Sequence, residues 1–125
     1  MRGLAAIGLL ALAGCVSQPS GVQAQFGAFA GNAATADIMA GLCPQYEMRN
    51  SLEELTQGFI DQMLAAGYSE IEVLEAIQAT SEEAIIEEVI VEMGQQGVTP
   101  GDEAALCAYA DREVAAGSQI GRFLR

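Results

Sequence analysis

From residue 32 onward, apolar residues recur at intervals of three and four positions, which is the spacing of one face of an α-helix. Residues 52–64 carry one such stripe and residues 82–96 carry another. The second segment includes IIEEVIV (residues 85–91), whose β-branched content also suits a strand. Its glutamates recur at helical intervals rather than at every second position, so we interpret it as a helix. Five of its residues are expected to face the core: Ile85, Ile86, Val89, Ile90 and Met93.

Capping residues mark where these helices begin. Ser51 and Ser69 are each followed three positions later by glutamate, the capping-box pattern. Asn32 and Asp102 are suitable N-terminal caps for two more helices, and Ser81 can restart the chain after a bend. The pattern predicts helices over residues 33–42, 52–66, 70–80, 82–96 and 103–116, with a last short turn over residues 118–124.

The expected fold is therefore an all-α domain over residues 32–125, a small bundle of four to five short helices stapled by one disulfide. The preceding segment, residues 15–31, is small, polar and rich in glycine, without a steady period, and it predicts a flexible tether. Phe26 and Phe29 stand out in this segment. They either dock on the domain or the bilayer surface, or are incidental residues of a loose segment.

The N-terminus has the layout of an export signal. Arg2 precedes an apolar run over residues 4–13, which is shorter than the roughly 20 residues that a membrane span needs. Residues 12–15, Leu-Ala-Gly-Cys, fit a lipoprotein cleavage site, so we expect residues 1–14 to be a signal peptide and Cys15 to carry diacylglycerol. Because the site directly follows the apolar run, it is favoured over its rival.

The rival is ordinary signal peptidase, which requires small residues at the third and first positions before the cut. Val22 and Ala24 meet that requirement, and a cut after Ala24 would release a soluble periplasmic domain without Cys15. The lipoprotein alternative places the protein at the periplasmic face of a bacterial envelope. Val16, rather than aspartate, after the cysteine favours the outer membrane.

Three cysteines are present, an odd number that needs an explanation in an exported protein. Either cut removes Cys15 from disulfide chemistry and leaves Cys43 and Cys107. In an oxidising compartment a disulfide between these two is expected, and two buried free thiols are the alternative. The sequence contains no histidine, and neither cysteine has a second one nearby, so no zinc site is expected.

The charge is strongly acidic. The chain has 17 aspartate and glutamate residues against 5 basic residues, all arginine, and a net charge of −12. Removal of the leader with Arg2 leaves 17 acidic and 4 basic residues, a net charge of −13. Such a chain is repelled by nucleic acids and by anionic lipid head groups, so a membrane attachment must come from the lipid.

The sequence offers little for catalysis. Without histidine there is no Ser-His or Cys-His pair, and without lysine there is no Schiff-base residue, so we expect no enzyme and no cofactor. The glutamates of residues 82–88 form either a solvated acidic face or, less in keeping with the absence of a calcium loop, a divalent-cation surface. We expect a non-catalytic accessory or interaction module. The alternative is an acidic inhibitor or sequestering protein for a cationic exported partner.

Parts of the sequence resemble a known family. Residues 101–125 (GDEAALCAYADREVAAGSQIGRFLR), together with Cys-Pro at 43–44 and Ala-Gly-Tyr at 66–68, are similar to small exported bacterial proteins filed under a domain of unknown function. The likeness spans residues 32–125 and is specific at the tail and the cysteine positions. It implies an all-helical exported domain with its two remaining cysteines paired, and it brings no activity, substrate or ligand.

Overall fold

Six α-helices form the part of the chain that the structure, a computed structural model, describes, residues 21–125. They are α1 (Gly21–Leu42), α2 (Leu52–Ala65), α3 (Glu70–Ala79), α4 (Glu82–Gln95), α5 (Glu103–Ala116) and α6 (Gln119–Phe123). Over this range there is no strand, and an isolated antiparallel bridge joins Met48 to Leu124. The all-α class is confirmed, and the predicted last turn is the short helix α6.

Helix α1 begins at Gly21, well before the expected start of the domain. Phe26 and Phe29 are buried in it and pack against other helices, so they belong to the core. The expectation of a flexible tether is therefore wrong for residues 21–31, and the domain does not begin at residue 32. The remainder of the expected tether, residues 15–20, and the expected signal peptide, residues 1–14, lie outside the described part of the chain.

The buried face of α1 is difficult to recognise in the sequence because all five other helices contact this helix. A helix covered on many sides has no continuous polar face, and so lacks the contrast that reveals an amphipathic helix. The buried positions recur at alternating intervals of four and three residues: Val22, Phe26, Phe29, Ala33 and Ala36.

Asn32 is not the N-terminal cap that the sequence suggested, because it lies in the middle of α1. Its side-chain amide donates a hydrogen bond of 2.7 Å to Oε1 of Gln119 in α6. The residue therefore ties two helices that are far apart in the sequence.

Two hydrophobic clusters lie along α1. The first packs the N-terminal half of α1 on α2 and α3; its buried members are Val22, Phe26, Phe29, Ala33, Phe59, Met63, Val73 and Ala76. The second packs the C-terminal half of α1 on α5 and α6; its buried members are Ala36, Met39, Cys43, Val98, Leu106, Tyr109, Ala110, Ile120 and Leu124. Phe123 packs against both clusters, and its ring meets the Phe29 ring edge-on with the centroids 6.0 Å apart. The two halves therefore form one continuous core.

The C-terminal residues are held against the segment between α1 and α2. Glu47 and Arg125 exchange two backbone hydrogen bonds of 2.9 Å each, and the Arg49 amide donates to the Phe123 carbonyl at 2.8 Å. The Arg125 guanidinium also forms an ion pair with Glu47 at 2.8 Å, but both side chains are more than half exposed. Exposed pairs of this kind contribute little, so the backbone bonds provide most of this closure.

The predicted N-terminal caps of α2 to α5 are confirmed. At α2, the Glu54 amide donates to the Ser51 hydroxyl and the Ser51 amide donates to the Glu54 carboxylate, both at 3.1 Å. Hydrogen bonds with Ser51, first with its backbone amide and then with its hydroxyl, hold the pKa of Glu54 below its ordinary value. Since the ionised form is the one that is stabilised, the box weakens as the pH falls through the titration range of Glu54.

Replacement of Ser51 by alanine is expected to lower the free energy of unfolding by about 1 kcal/mol, because it leaves the Glu54 amide at the start of α2 without its acceptor. Urea denaturation followed by circular dichroism measures the change. Ser51→Asn is the matched control and should cost little, since the asparagine side-chain oxygen can accept the same hydrogen bond from the Glu54 amide. Equal losses for the two variants would contradict the assigned role of the hydroxyl.

Candidate functional site

The cysteines occupy two different parts of the chain. Cys43 follows the last residue of α1 and is fully buried, and it forms a disulfide with Cys107 in α5. Their Cα atoms are 5.6 Å apart, and 64 positions separate them in the sequence. The predicted disulfide is confirmed. The predicted lipidation site, Cys15, lies outside the described residues.

An apolar groove opens beside this disulfide-linked end of the bundle. Its cavity has a volume of about 310 Å³ and lies between the C-terminal halves of α1 and α4 and the turn that leads into α5. Its apolar walls are formed by Ile38, Leu42, Ile90, Met93, Val98 and Leu106. The side chains at its mouth are unusually exposed for their type: Ile38 is 38% exposed, Leu42 46% and Ile90 56%.

The groove exists because α4 buries little of its surface against α1. Val89 is the one residue of α4 that is buried. Their spacing predicts that Ile86 and Ile90 face the core, but they are 49% and 56% exposed. That assignment is wrong, because helical spacing gathers apolar residues on one face but does not say how many neighbours will cover it. The face of α4 that carries these two isoleucines has no helix packed over it in residues 21–125.

The turn after α4 forms the floor and one edge of the groove. Gly97 and Gly101 have φ angles of 81° and 85°, which favour glycine and let the chain reverse between α4 and α5. The Val98 amide donates to the Met93 carbonyl at 2.9 Å, closing the end of α4 in the manner of a Schellman motif. This bond points the Val98 side chain inward, beneath the groove.

Carboxylates lie at the edge of the groove where α5 begins. Asp102 and Glu103 line its edge, and the Asp102 carboxylate also accepts a hydrogen bond of 3.0 Å from the Ala105 amide as the cap of α5. On α4, the exposed Glu87 lies three residues before the lining residue Ile90 and hence on the same side of the helix.

The four arginines of the domain make contacts with residues other than the carboxylates of the groove. Arg125 forms an ion pair with Glu47, and Arg49 and Arg122 donate to the carbonyls of Leu124 and Gly117. The fourth, Arg112, lies 5.6 Å from the centre of the Tyr109 ring. In residues 21–125 a single ion pair is formed, so the carboxylates of the groove have no basic partner in the domain.

A second, smaller cavity of about 200 Å³ lies on the opposite side of the contact between α1 and α4. Its walls are formed by small residues of α1 and by two carboxylates of α4, Glu88 and Glu92.

Among the described residues there is no group of three or more histidine, cysteine, aspartate or glutamate side chains that could hold a metal ion. Likewise, none of the helices in residues 21–125 has the length and hydropathy of a membrane span.

Tyr109 lies in the second hydrophobic cluster and is 2% exposed. Burial, assisted by the carboxylates of Glu113 and Glu92 and opposed by Arg112, raises the pKa of Tyr109 to about 12. A raised pKa means that folding stabilises the neutral form of the Tyr109 phenol relative to its ionised form. Its contribution to stability is therefore complete below the unfolded pKa of about 10 and is lost as the pH rises through about 12.

We expect the urea midpoint of the protein to fall steadily between about pH 10 and about pH 12, because in this range Tyr109 ionises in the unfolded chain but keeps its proton in the core. Tyr109→Phe should make this fall shallower. Some slope should remain, because a 2.6 Å hydrogen bond to Asp111 also raises the pKa of Tyr46. An unchanged slope in the variant would show that Tyr109 titrates without cost to the fold.

These features define a small all-helical domain, closed by one disulfide, with an acid-rimmed apolar groove at one end. The chain belongs to a family of unknown function, DUF5333, whose model matches residues 23–125. No curated protein and no solved structure matches it. The match includes most of α1, in agreement with the structure, in which the first half of that helix is part of the core.

Proposed function

We propose that the protein is an exported, lipid-anchored domain that faces the periplasm and binds another protein without catalysing a reaction. The observation that carries the proposal is the position of the lipoprotein site. Cys15 lies six residues before Gly21, the first residue of α1, so a lipid at that position would hold the domain close to a membrane surface.

The packing of α1 supports the cut before Cys15 over the cut after Ala24. Ala24 lies within the first two turns of α1, and Val22 before it is fully buried in the first cluster. A cut after Ala24 would remove Val22 and expose the pocket that it fills, at a cost of about 1.5–3 kcal/mol for a side chain of this size. A cut before Cys15 leaves the whole helix in place.

The disulfide supports export, because such bonds persist in oxidising compartments and are rare in the cytosol. The absence of histidine and lysine from the sequence supports a non-catalytic role, since the common nucleophile–base pairs require one of them. The exposed apolar groove supports a role in binding, because a monomeric domain gains nothing by leaving such a surface in water.

The intact mass of the mature protein, extracted from cell membranes, tests the anchor. The expected species begins at Cys15 and carries diacylglycerol, and Cys15→Ala should abolish both the added mass and the recovery in the membrane fraction. A polypeptide that begins at Gln25 would overturn the proposal. The same spectrum, recorded with and without reductant after alkylation, reports the Cys43–Cys107 bond independently of the anchor.

A second function is favoured by the charge, namely inhibition or sequestration of a cationic exported protein such as a cell-wall hydrolase. The 17 acidic residues form one ion pair within residues 21–125, so a large negative potential remains for a partner. Capture of a purified cationic hydrolase on the immobilised protein should weaken steeply as the salt concentration rises from about 0.05 to about 0.5 M. Capture that does not respond to salt would count against this function.

A further inference from the structure

The groove between α1, α4 and the turn before α5 is an apolar recess that the fold does not fill. Ile38, Leu42 and Ile90 stand at its mouth and are each more than one third exposed. An engineered cavity of about 150 Å³ holds one benzene molecule, so a recess of about 310 Å³ has room for about two large apolar side chains. Its size therefore suits the anchor residues of a peptide segment.

The carboxylates at the edge of the groove specify the charge of the occupant. Asp102 and Glu103 line one edge, Glu87 lies three residues before Ile90 on the same side of α4, and none of the three forms an ion pair within residues 21–125. A segment with lysine or arginine beside its apolar anchors would neutralise these carboxylates. An uncharged or acidic segment would desolvate them or repel them.

A second copy of the chain is a poor occupant for the same reason. Two copies would each bring a net charge of −12 or lower to the contact, and a symmetric contact would set like charges against one another. The anionic head group of a lipid would meet the same repulsion at the rim.

The attachment point proposed at Cys15 precedes the N-terminal end of α1, whereas the groove lies at the C-terminal half of that helix. Ile38 lies 17 residues along α1 from Gly21, which is about 25 Å at the helical rise of about 1.5 Å per residue. The six residues from Cys15 to Gly21 reach at most about 20 Å when fully extended. The groove therefore opens at the end of the domain that is remote from the attachment point.

We infer that the groove binds a cationic amphipathic segment of a second exported protein, which places apolar side chains between Ile38, Leu42 and Ile90 and basic side chains beside Glu103 and Glu87. The groove is walled by helices, and an amphipathic helix with anchors at three- and four-residue spacing is the ligand that such grooves bind. The inference rests on the proposed function, in that it takes the domain to act on a protein partner. It does not depend on the lipid.

The probe is a fluorescein-labelled helical peptide of leucine and lysine, with leucines spaced to form one face. It is titrated onto the mature protein in phosphatidylcholine vesicles, with empty vesicles as the blank, and binding is followed by fluorescence anisotropy. Ile90→Gln should weaken binding by about tenfold, because it removes one apolar wall of the groove. Glu103→Gln should weaken it less and should reduce its dependence on salt.

Val91→Gln is the matched control. Val91 is the neighbour of Ile90 in α4 and is 59% exposed, but it does not line the groove, so its replacement should leave binding unchanged. A second peptide, in which serine replaces leucine and every lysine is kept, measures attraction by charge alone and should bind far more weakly. Circular dichroism of each variant establishes that the fold is intact, as expected for such exposed positions.

Three results would overturn the inference. Equal binding by Ile90→Gln and Val91→Gln would show diffuse attraction to the acidic surface. Displacement of the peptide by a neutral monoacylglycerol, with the same sensitivity to Ile90→Gln, would assign the groove to an acyl chain. A dimer in sedimentation that Ile90→Gln dissociates would assign it to a second copy. If the intact mass shows an unlipidated protein, the same titration in free solution still tests the groove, so the two proposals can fail separately.

Discussion

Replacing both Cys43 and Cys107 by alanine is expected to lower the free energy of unfolding by about 4 kcal/mol. The bond closes a loop with a sequence separation of 64, and the loss of that constraint on the unfolded chain accounts for about 4 kcal/mol in the chain-entropy description. Cys43 is fully buried in the second cluster, so the truncation also removes packing. Small domains are stable by only about 5–15 kcal/mol, and this loss therefore takes a large share of the total.

Urea denaturation of three samples measures the effect: the oxidised protein, the same protein kept in reductant, and the double variant. The reduced protein retains both sulfur atoms, so the difference between it and the oxidised protein isolates the constraint of the bond. The double variant should be the least stable because it also loses the packing of the Cys43 side chain. Identical midpoints for oxidised and reduced protein would contradict the stabilising role of the bond.

Gly121→Ala is expected to destabilise the protein by about 3 kcal/mol, at the upper end of the range for overpacking. Gly121 is buried in α6, where that helix crosses the end of α5. A Cβ atom at this position would lie 2.6 Å from the carbonyl carbon of Glu113 and 2.8 Å from Cα of Val114. Both are backbone atoms of α5, so they cannot move aside as a flexible side chain would, and α6 would have to move away from α5.

Gly58→Ala is the matched control. Gly58 is exposed in the middle of α2, and an added Cβ there has no other atom within 4 Å. This substitution should stabilise the protein by about 0.5–1 kcal/mol through helix propensity alone. Thermal unfolding compares the two variants, and a Gly121→Ala protein as stable as Gly58→Ala would show that α6 does not dock closely on α5.

The helices beyond residue 50 are predictable from the sequence because their signals are local. Ser51, Ser69 and Ser81 each accept a hydrogen bond from an amide three residues later in the same helix, so neighbours in the sequence determine where α2, α3 and α4 begin. The disulfide was predictable for another reason. Once the first cysteine is assigned elsewhere, two remain, and an oxidising compartment favours their pairing.

Helix α1 was not predictable over its first half because its structure depends on distant residues. Phe26 and Phe29 are ordered by Phe59 of α2, whose ring centroid lies 5.3 Å and 5.1 Å from theirs. The residues around these two phenylalanines are small and polar, as in a linker, so composition alone predicts no packing partner for either ring. Burial against other helices, rather than local preference, makes this segment helical.

The groove could not be predicted from the sequence for a related reason. The apolar face of α4 is evident in its spacing, but burial of Ile86 and Ile90 depends on whether another helix crosses that face. The turn of residues 97–101 directs the chain into α5 beside that face instead of over it, so the isoleucines remain exposed. A turn rich in glycine and proline is a recognisable loop, but its direction is a tertiary property.

The disulfide also makes residues 43–107 a covalent ring that contains α2, α3 and α4 whole. A protease that cuts once inside the ring, for example between α3 and α4 near Thr80, opens it without releasing a fragment. Both pieces stay joined through Cys43 and Cys107, and both stay joined to α1. A nicked molecule would therefore run as a single band without reductant and as two bands with it, and it would remain attached to whatever holds its N-terminus.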